Sequence, residues 1–408
     1  MSILSLVRHI KSKVAPKLAI DRTPLDRQIN MLSTENAALR TEASAANRES
    51  LRLREAYRLS AVYHRPIEQT SGSPAVTVQT PTDDSALISR IMTSYRAACE
   101  TEIGDKDSFW QTDFARIKRA DHEVLLGGNH DAVTTLLRNP ALSRLFIGFD
   151  ELHDHTDLPE HGIAHVISHH GWIYDSLLRL AEAIGARHLN YPEILGPGPI
   201  APPVDEILSE IDRVVGFRVT FPNPFPGEIG LLTSRGVASF RSVQSLCQAY
   251  RTHELVGTDA RVLEIGGGLG RTAFYARQFG IRDYTIIDLP MTNVAQGYFL
   301  GRTLGQDMVS LFEENQHGIR ILPPTEFLDT TDRYDLVVNV DSLTEMSRDT
   351  ALAYCKAIQS RANKFLSINH ECNPFTVREI CATLAMHSST RTPYWLRRGY
   401  VDEVFYLV

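Results

Sequence analysis

The 408-residue chain has five cysteines, Cys99, Cys247, Cys355, Cys372 and Cys381, odd in number, scattered and without a C-x-x-C pair. That excludes a disulfide framework and a thiolate zinc ribbon, and it fits reduced thiols in a cytosolic protein. A continuous apolar run of about eighteen residues is also missing, so no segment reads as membrane-spanning. Basic residues are not in excess: the formal net charge is −7, which argues against a general nucleic-acid binder. The first residues lack the apolar core and small-residue cleavage site of a secretory signal. What is present, 43% hydrophobic and 22% charged residues over a length sufficient for two or three domains, is ordinary globular composition. A cytoplasmic protein is expected.

The chain is organised around residues 261 to 290, RVLEIGGGLGRTAFYARQFGIRDYTIIDLP. A short apolar run ending in Glu264 passes into Gly266, Gly267, Gly268 and Gly270, then a helical pattern, then a second apolar run ending at Asp288 and Leu289. This reads as strand, glycine turn, helix and strand with a terminal acid. Glycines without Cβ let backbone approach a ligand closely, and an acid at a strand tip can accept both hydroxyls of a ribose. The unit therefore reads as an adenosine-cofactor site. A dinucleotide fingerprint needs a small residue at the sixth position of the turn, and counting from Gly266 that position is Arg271. The spacing that fits is acid-x-Gly-x-Gly-x-Gly, formed by Glu264, Gly266, Gly268 and Gly270.

The segments that follow alternate between strand and helix patterns. Strands are expected at 284–288, 319–322, 334–340 and 364–369, and helices at 269–278, 293–304, 347–362 and 376–387. Two final strands, 391–396 and 404–408, have no helix between them. Such alternation specifies an α/β, doubly wound Rossmann-like sheet, and the terminal pair lets the last of seven strands insert antiparallel.

Upstream, residues 1 to 22 form a basic amphipathic segment suited to an anionic membrane surface, or to an arm folded on its own protein. Residues 23 to 65 carry heptads with Leu25, Leu32, Leu39, Ala46 and Leu53 at one position and Ile29, Asn36, Ala43, Ser50 and Tyr57 at the other. Glu35 and Arg40, and Glu49 and Arg54, sit where flanking charges pair between helices. This specifies a parallel homo-oligomeric coiled coil, a dimer before a trimer, about 60 Å long. A Ser-, Thr- and Pro-rich linker, 66 to 85, leads to a helical region, 86 to 250, in the place of a substrate-covering lid. Arg235 and Tyr250 are the residues to watch there. Six histidines, His153, His155, His161, His165, His169 and His170, fall close together. The H-E-x-x-H glutamate is missing and no metal site is expected.

The turn from Glu264 to Gly270, with Asp288 and the closing strand pair, resembles the class I S-adenosylmethionine-dependent methyltransferases over residues 251 to 408. The phrases EIGGGLGR, YTIIDLP, NVDSLTEMS and INHECNP resemble, more narrowly, bacterial sugar O-methyltransferases associated with surface-polysaccharide gene clusters. The resemblance implies S-adenosyl-L-methionine as cofactor and a sugar or glycan hydroxyl as acceptor, with Glu264 toward the ammonium and Asp288 toward the ribose. It also implies that Asn339 and Glu345, after the fourth strand, face the ligand, with adenine near Thr325, Glu326 and Phe327. A sugar hydroxyl needs a base. The strand ends offer His370 or Glu345 as that base and Asp341 to orient it. A small hydroxylated metabolite or lipid as acceptor, an N or C acceptor, and a non-catalytic scaffold are the other readings.

Overall fold

A computed structural model describes residues 23–60, 83–101, 108, 112, 115–140, 143–147, 161–189, 202–225, 228 and 230–407. The basic segment and nearly all of the expected linker lie outside these residues. The chain divides into two compact units, one of residues 1–64 with 191–198 and one of residues 65–190 with 199–408.

In the first unit, residues 23–60 form a single 38-residue helix, α1 (Thr23–Ser60), with Asp26 in its first turn. Leu25, Ile29, Leu32 and Leu39 of the heptad stripe are all exposed on it.

The second unit is built on an eight-stranded sheet. Its strands are β3 (Arg261–Ile265), β4 (Asp283–Ile287), β5 (Val309–Leu311), β6 (Ile319–Leu322), β7 (Tyr334–Val340), β8 (Ala362–His370), β9 (Ser388–Pro393) and β10 (Tyr400–Tyr406). They run in the order β5-β6-β4-β3-β7-β8-β10-β9. Strands β5 to β8 with β3 and β4 pair in parallel, and β10 inserts antiparallel between β8 and β9. The continuous apolar runs VLEI and YDLVVNV are what burial on both faces demands, and Val262, Leu263, Leu336, Val337 and Val338 are fully buried. The doubly wound arrangement and the reversed last strand are as expected. The count is eight, not seven, because the three residues VSL of β5 add an edge.

A small antiparallel hairpin, β1 (Leu231–Thr233) with β2 (Gly236–Ala238), lies within the region expected to be helical. The helices around the sheet are α2 (Ser85–Glu100), α3 (Arg119–Gly127), α4 (His130–Arg138), α5 (His161–Ala183), α6 (Val204–Val215), α7 (Phe240–Val256), α8 (Arg271–Gln278), α9 (Pro290–Leu304), α10 (Pro324–Leu328), α11 (Arg348–Arg361) and α12 (Val377–Thr383). Ser239 and Ser347 cap α7 and α11 with their side chains, and Thr376 with Glu379 closes a capping box on α12. Helix α12 stops short of the expected His387, and β9 begins five residues after its end. All five cysteines are free thiols. Among the described residues no helix is long and apolar enough to cross a membrane.

The expected boundary near residue 250 does not divide this unit. Helix α2 crosses α9 closely: a Cβ on Gly301 would lie 2.7 Å from the Leu87 side chain, so the crossing needs a residue without one. Beside it, the buried carboxylate of Asp84 accepts hydrogen bonds from Arg138 of α4 and from Tyr298 and Arg302 of α9. Burial alone would raise the Asp84 pKa, but the hydrogen bonds from Arg138 and Tyr298 outweigh it and hold it below the usual carboxylate range. The stability this contributes is present above the ordinary carboxylate pKa and is lost as pH falls through the lowered one. Removing the acid strands a guanidinium that is 9% exposed, Arg302. Asp84→Ala is expected to cost about 3 kcal/mol in urea titration at pH 7, with the difference from wild type shrinking in strong acid; an unchanged midpoint would refute the assignment.

Candidate functional site

Ligands of open α/β sheets bind where the strand order reverses, outside the carboxyl ends of the strands. Here the reversal falls between β3 and β7, and a cavity of about 200 Å³ opens there. Its floor is the glycine turn. Gly266, Gly268 and Gly270 have φ of 75°, 56° and 87°, a region costly for residues with a Cβ. The Gly266 requirement is also steric, since a Cβ there would sit 2.2 Å from Ser342 Oγ.

Two carboxyls flank the turn. Glu264, at the end of β3, is 2% exposed and accepts a 3.0 Å hydrogen bond from the Tyr284 hydroxyl. Burial pushes its pKa up to about 7. Asp288, just past β4, accepts from Leu289 N at 2.8 Å and from Gln296 Nε2 at 2.7 Å. Burial raises it to about 6, against the pull of those hydrogen bonds and of Lys118. Lys118 lies in the helical layer, and its own pKa falls to about 8 through burial. Glu264, Gly266, Gly268, Asp288 and Leu289 all line the cavity. Gly270 stands at the start of α8, where a Cβ would meet Leu300.

Arg271 follows. It is buried against Glu228 in a 2.6 Å ion pair and lies over the Phe299 ring. The sixth turn position is thus filled by a bulky, already neutralised side chain, where a dinucleotide turn has a small residue for close helix–strand packing. Toward β6, Pro324 and Leu328 of α10 line the cavity with apolar surface. Thr325 on the same helix is not a lining residue, and its hydroxyl is buried without a hydrogen-bond partner.

On the other side stand the loop after β7 and the end of β8. Asp341 has φ of 70° and lines the cavity with Glu345. Its Oδ2 accepts from Arg397 and from the Tyr400 hydroxyl, each at 2.8 Å. Its Oδ1 is buried with no hydrogen bond and lies 3.6 Å from His370 Nε2. The antiparallel register sets His370 directly opposite Tyr400. Cys372 Sγ lies 3.0 Å from His370 Nδ1. Donor atoms of Asp341, Glu345 and His370 fall within 4.8 Å of one another, so all three expected catalytic residues are together. That spacing also suits a divalent cation, although Arg397 already neutralises Asp341.

Asn339 is placed otherwise than expected. It is fully buried and absent from the cavity lining. Its amide donates to the Ile265 carbonyl at 3.0 Å and to Ser342 Oγ, while its oxygen accepts from Asn369. A buried amide must be satisfied, and here the neighbouring strands use it entirely. Arg235 is likewise structural, bound to Asp212 at 2.6 Å, and Tyr250 packs on Phe279. Of the clustered histidines, His153 and His155 lie outside the described residues, His161, His165, His169 and His170 are on α5, and His170 is buried. Sequence reasoning missed Arg241, Gln244, Ser245 and Gln248 of α7 and Arg397; the α7 residues share one helical face, which only its burial at the cavity distinguishes from a solvent-facing one.

No family model and no curated protein matches the chain. Solved structures similar to it include 1,6-didemethyltoxoflavin-N1-methyltransferase from Burkholderia thailandensis, at 19% identity over 40% of this chain and 78% of that one, with a TM-score of 0.31. Magnesium protoporphyrin IX methyltransferase from Synechocystis PCC 6803 aligns at 15% identity over 40% and 76%, with a TM-score of 0.30. The CcbJ methyltransferase from Streptomyces caelestis aligns at 12% over 40% and 90%, with a TM-score of 0.32. Likeness this distant bears on neither substrate nor chemistry, which rest on the residues above.

The buried acid Glu264 makes a pH signature. A carboxyl whose folded pKa is raised stabilises the fold below its ordinary pKa, and that stability is lost as pH rises through the folded value. For Glu264, raised from 4.5 to about 7, the loss is on the order of 3 kcal/mol between pH 4 and 8. Glu264→Gln is expected to flatten this fall in denaturant titrations of the free protein; a parallel pH profile would show that Glu264 is not the buried acid responsible.

Proposed function

We propose that the cavity binds S-adenosylmethionine and serves methyl transfer to an oxygen acceptor. One observation carries this reading: the buried carboxyl of Glu264 and the half-buried one of Asp288 flank a glycine turn whose sixth position is filled by Arg271. Glu264 suits the ligand's ammonium, directly or through water, and Asp288 suits the ribose hydroxyls. The apolar surface of Pro324 and Leu328 suits adenine. The reversed strand β10 and the strand order support the same reading. Bound S-adenosylmethionine supplies an electrophilic methyl group on sulfonium sulfur. The chain's own residues must then hold an acceptor oxygen in line and take its proton.

His370 is suited to take that proton. With Cys372 on its Nδ1 side, Nε2 is left facing Asp341 Oδ1, a buried carboxylate oxygen that would stabilise the imidazolium. Arg397 and Tyr400 fix Asp341 from the other oxygen. Glu345 lines the cavity itself, within 4.8 Å of His370, and is the second candidate for the proton. For the acceptor we propose a sugar hydroxyl of a bacterial surface polysaccharide or its precursor. Support comes from the residue phrases that resemble such enzymes.

The reading has a calorimetric test. S-adenosylhomocysteine should bind and NAD should not. Because Glu264 titrates at about 7 in the free protein, binding an ammonium beside it at pH 7 should release about half a proton, read from the buffer dependence of the enthalpy. Failure of the sulfur ligand to bind would sink the proposal. On a glycan acceptor, His370→Ala should lower methyl transfer about 10²–10⁴-fold with ligand affinity kept; products without sugar methyl ethers would sink the acceptor class alone.

We also propose that α1 pairs in parallel with a second copy. Its exposed Leu25, Ile29, Leu32 and Leu39 form the stripe, and the Glu35 and Arg40 positions supply complementary charge across it. Leu32→Glu with Leu39→Glu should reduce the mass by light scattering to that of one chain; an unchanged mass would exclude α1 as the assembly element.

A further inference from the structure

The cavity has a second polar wall that the methyl-donor reading does not use. Arg241, Gln244, Ser245 and Gln248 of α7 all line it, at the i, i+3, i+4, i+7 spacing of one helical stripe. A helix covering a sheet normally turns such a stripe inward only when it is apolar, yet Gln244 is 2% exposed and Gln248 5%. Gln248 is accounted for, since its Oε1 accepts from Thr272 Oγ1 at 2.9 Å. Gln244 is not: its Nε2 is buried with no hydrogen-bond partner, a state that costs about 1–3 kcal/mol. One turn earlier, Arg241 makes no hydrogen bond or ion pair among the described residues, whereas Arg271 and Arg397 are held by Glu228 and Asp341.

An unpaired amide donor and an unpaired guanidinium, facing one cavity, together call for acceptor oxygens bearing negative charge. The position assigns these groups to the acceptor side. Phe240, the chain neighbour of Arg241 on α7, lies under the guanidinium of Arg397 at 6.0 Å, which bonds Asp341 at 2.8 Å beside His370. Burial raises the Tyr400 hydroxyl well above its ordinary range, so it stays a neutral donor and does not itself neutralise Arg241.

We propose that the acceptor carries an oxyanion, a carboxylate or a phosphate, which Arg241 and Gln244 bind while the reacting hydroxyl lies toward Asp341 and His370. The proposal deepens the methyl-transfer reading and rests on it for the word acceptor. Anion binding at Arg241 is measurable without turnover.

Calorimetry on the full chain, with wild type, Arg241→Gln, Arg241→Lys and Gln244→Leu, tests it. The probes are glucuronate, its neutral methyl ester and inorganic phosphate, each with and without S-adenosylhomocysteine, alongside S-adenosylhomocysteine and 5′-methylthioadenosine alone. Glucuronate or phosphate should bind wild type and bind Arg241→Gln at least about tenfold more weakly, with Arg241→Lys retaining most affinity and the ester weak throughout. Which of the two oxyanions prefers wild type names the class. Equal affinity of wild type and Arg241→Gln for both anions, or no binding of either to wild type, overturns the proposal. So does a selective loss of S-adenosylhomocysteine affinity in Arg241→Gln with 5′-methylthioadenosine unaffected, which would assign the pair to the cofactor's carboxylate. If wild type binds the anions through Arg241 but not S-adenosylhomocysteine, the methyl-transfer reading falls and the anion site stands.

Discussion

The site depends on one hydrogen-bonded knot at the point where the sheet changes direction. The Ile265 carbonyl, the last of β3, accepts from both Asn339 Nδ2 and Ser342 Oγ, and Asn369 at the end of β8 donates to Asn339. Three adjacent strand tips, β3, β7 and β8, are thereby fixed to one another. A buried carbonyl beyond a strand's last ladder bond must find donors somewhere, and side chains from β7 and the following loop provide them. The consequences spread in both directions. Ser342 can reach Ile265 only because Gly266 has no Cβ, so the first glycine of the turn answers to the knot as well as to the ligand. The loop drawn in by Ser342 puts Asp341 at φ of 70°, and that turn aims its carboxylate at Arg397, Tyr400 and His370.

The reversed strand completes the same arrangement. Antiparallel pairing of β10 with β8 sets Tyr400 opposite His370, at the carboxyl end of a parallel strand. A parallel β10 would carry its first residues to the far end of the sheet. The cluster around Asp341 therefore requires residues from the last strand pair, some sixty positions after Asp341, and no local pattern announces it. Arg397 and Tyr400 read in the sequence only as a turn between two strands.

What was legible follows from the range of the interactions involved. The strand, glycine turn and acid of residues 261 to 290 are set by local steric and burial rules, so Glu264, the glycines and Asp288 are readable in order. Asp341, Glu345 and His370 are readable as strand-end residues because a doubly wound sheet gathers such ends. Asn339 was misjudged because a polar residue closing an apolar strand looks the same whether it faces a ligand or satisfies a neighbouring carbonyl. Strand β5 was missed because three residues, VSL, carry no period, and the 231–238 hairpin because its Gly and Ser residues resemble open loop. The α7 stripe was missed for the opposite reason. Polar residues at helical spacing read as a solvent face, and only the tertiary arrangement buries them.

Burial on this scale explains why the cavity is chemically asymmetric. At one end Glu264 and Asp288 are desolvated enough to titrate near neutrality, which is unfavourable to the free fold and is relieved by a ligand that brings a positive charge and hydroxyl donors. At the other end the cost is of opposite sign: a guanidinium and an amide donor lack acceptors, and Asp341 is already occupied by Arg397 and Tyr400. Folding alone would be better served by apolar residues at every one of these positions. A single ligand cannot satisfy both ends by being uniformly charged. On the proposed reading, two groups, one cationic near Glu264 and one anionic near Arg241, meeting beside Asp341, would answer the raised acids, the Arg241 guanidinium and Gln244 Nε2 at once.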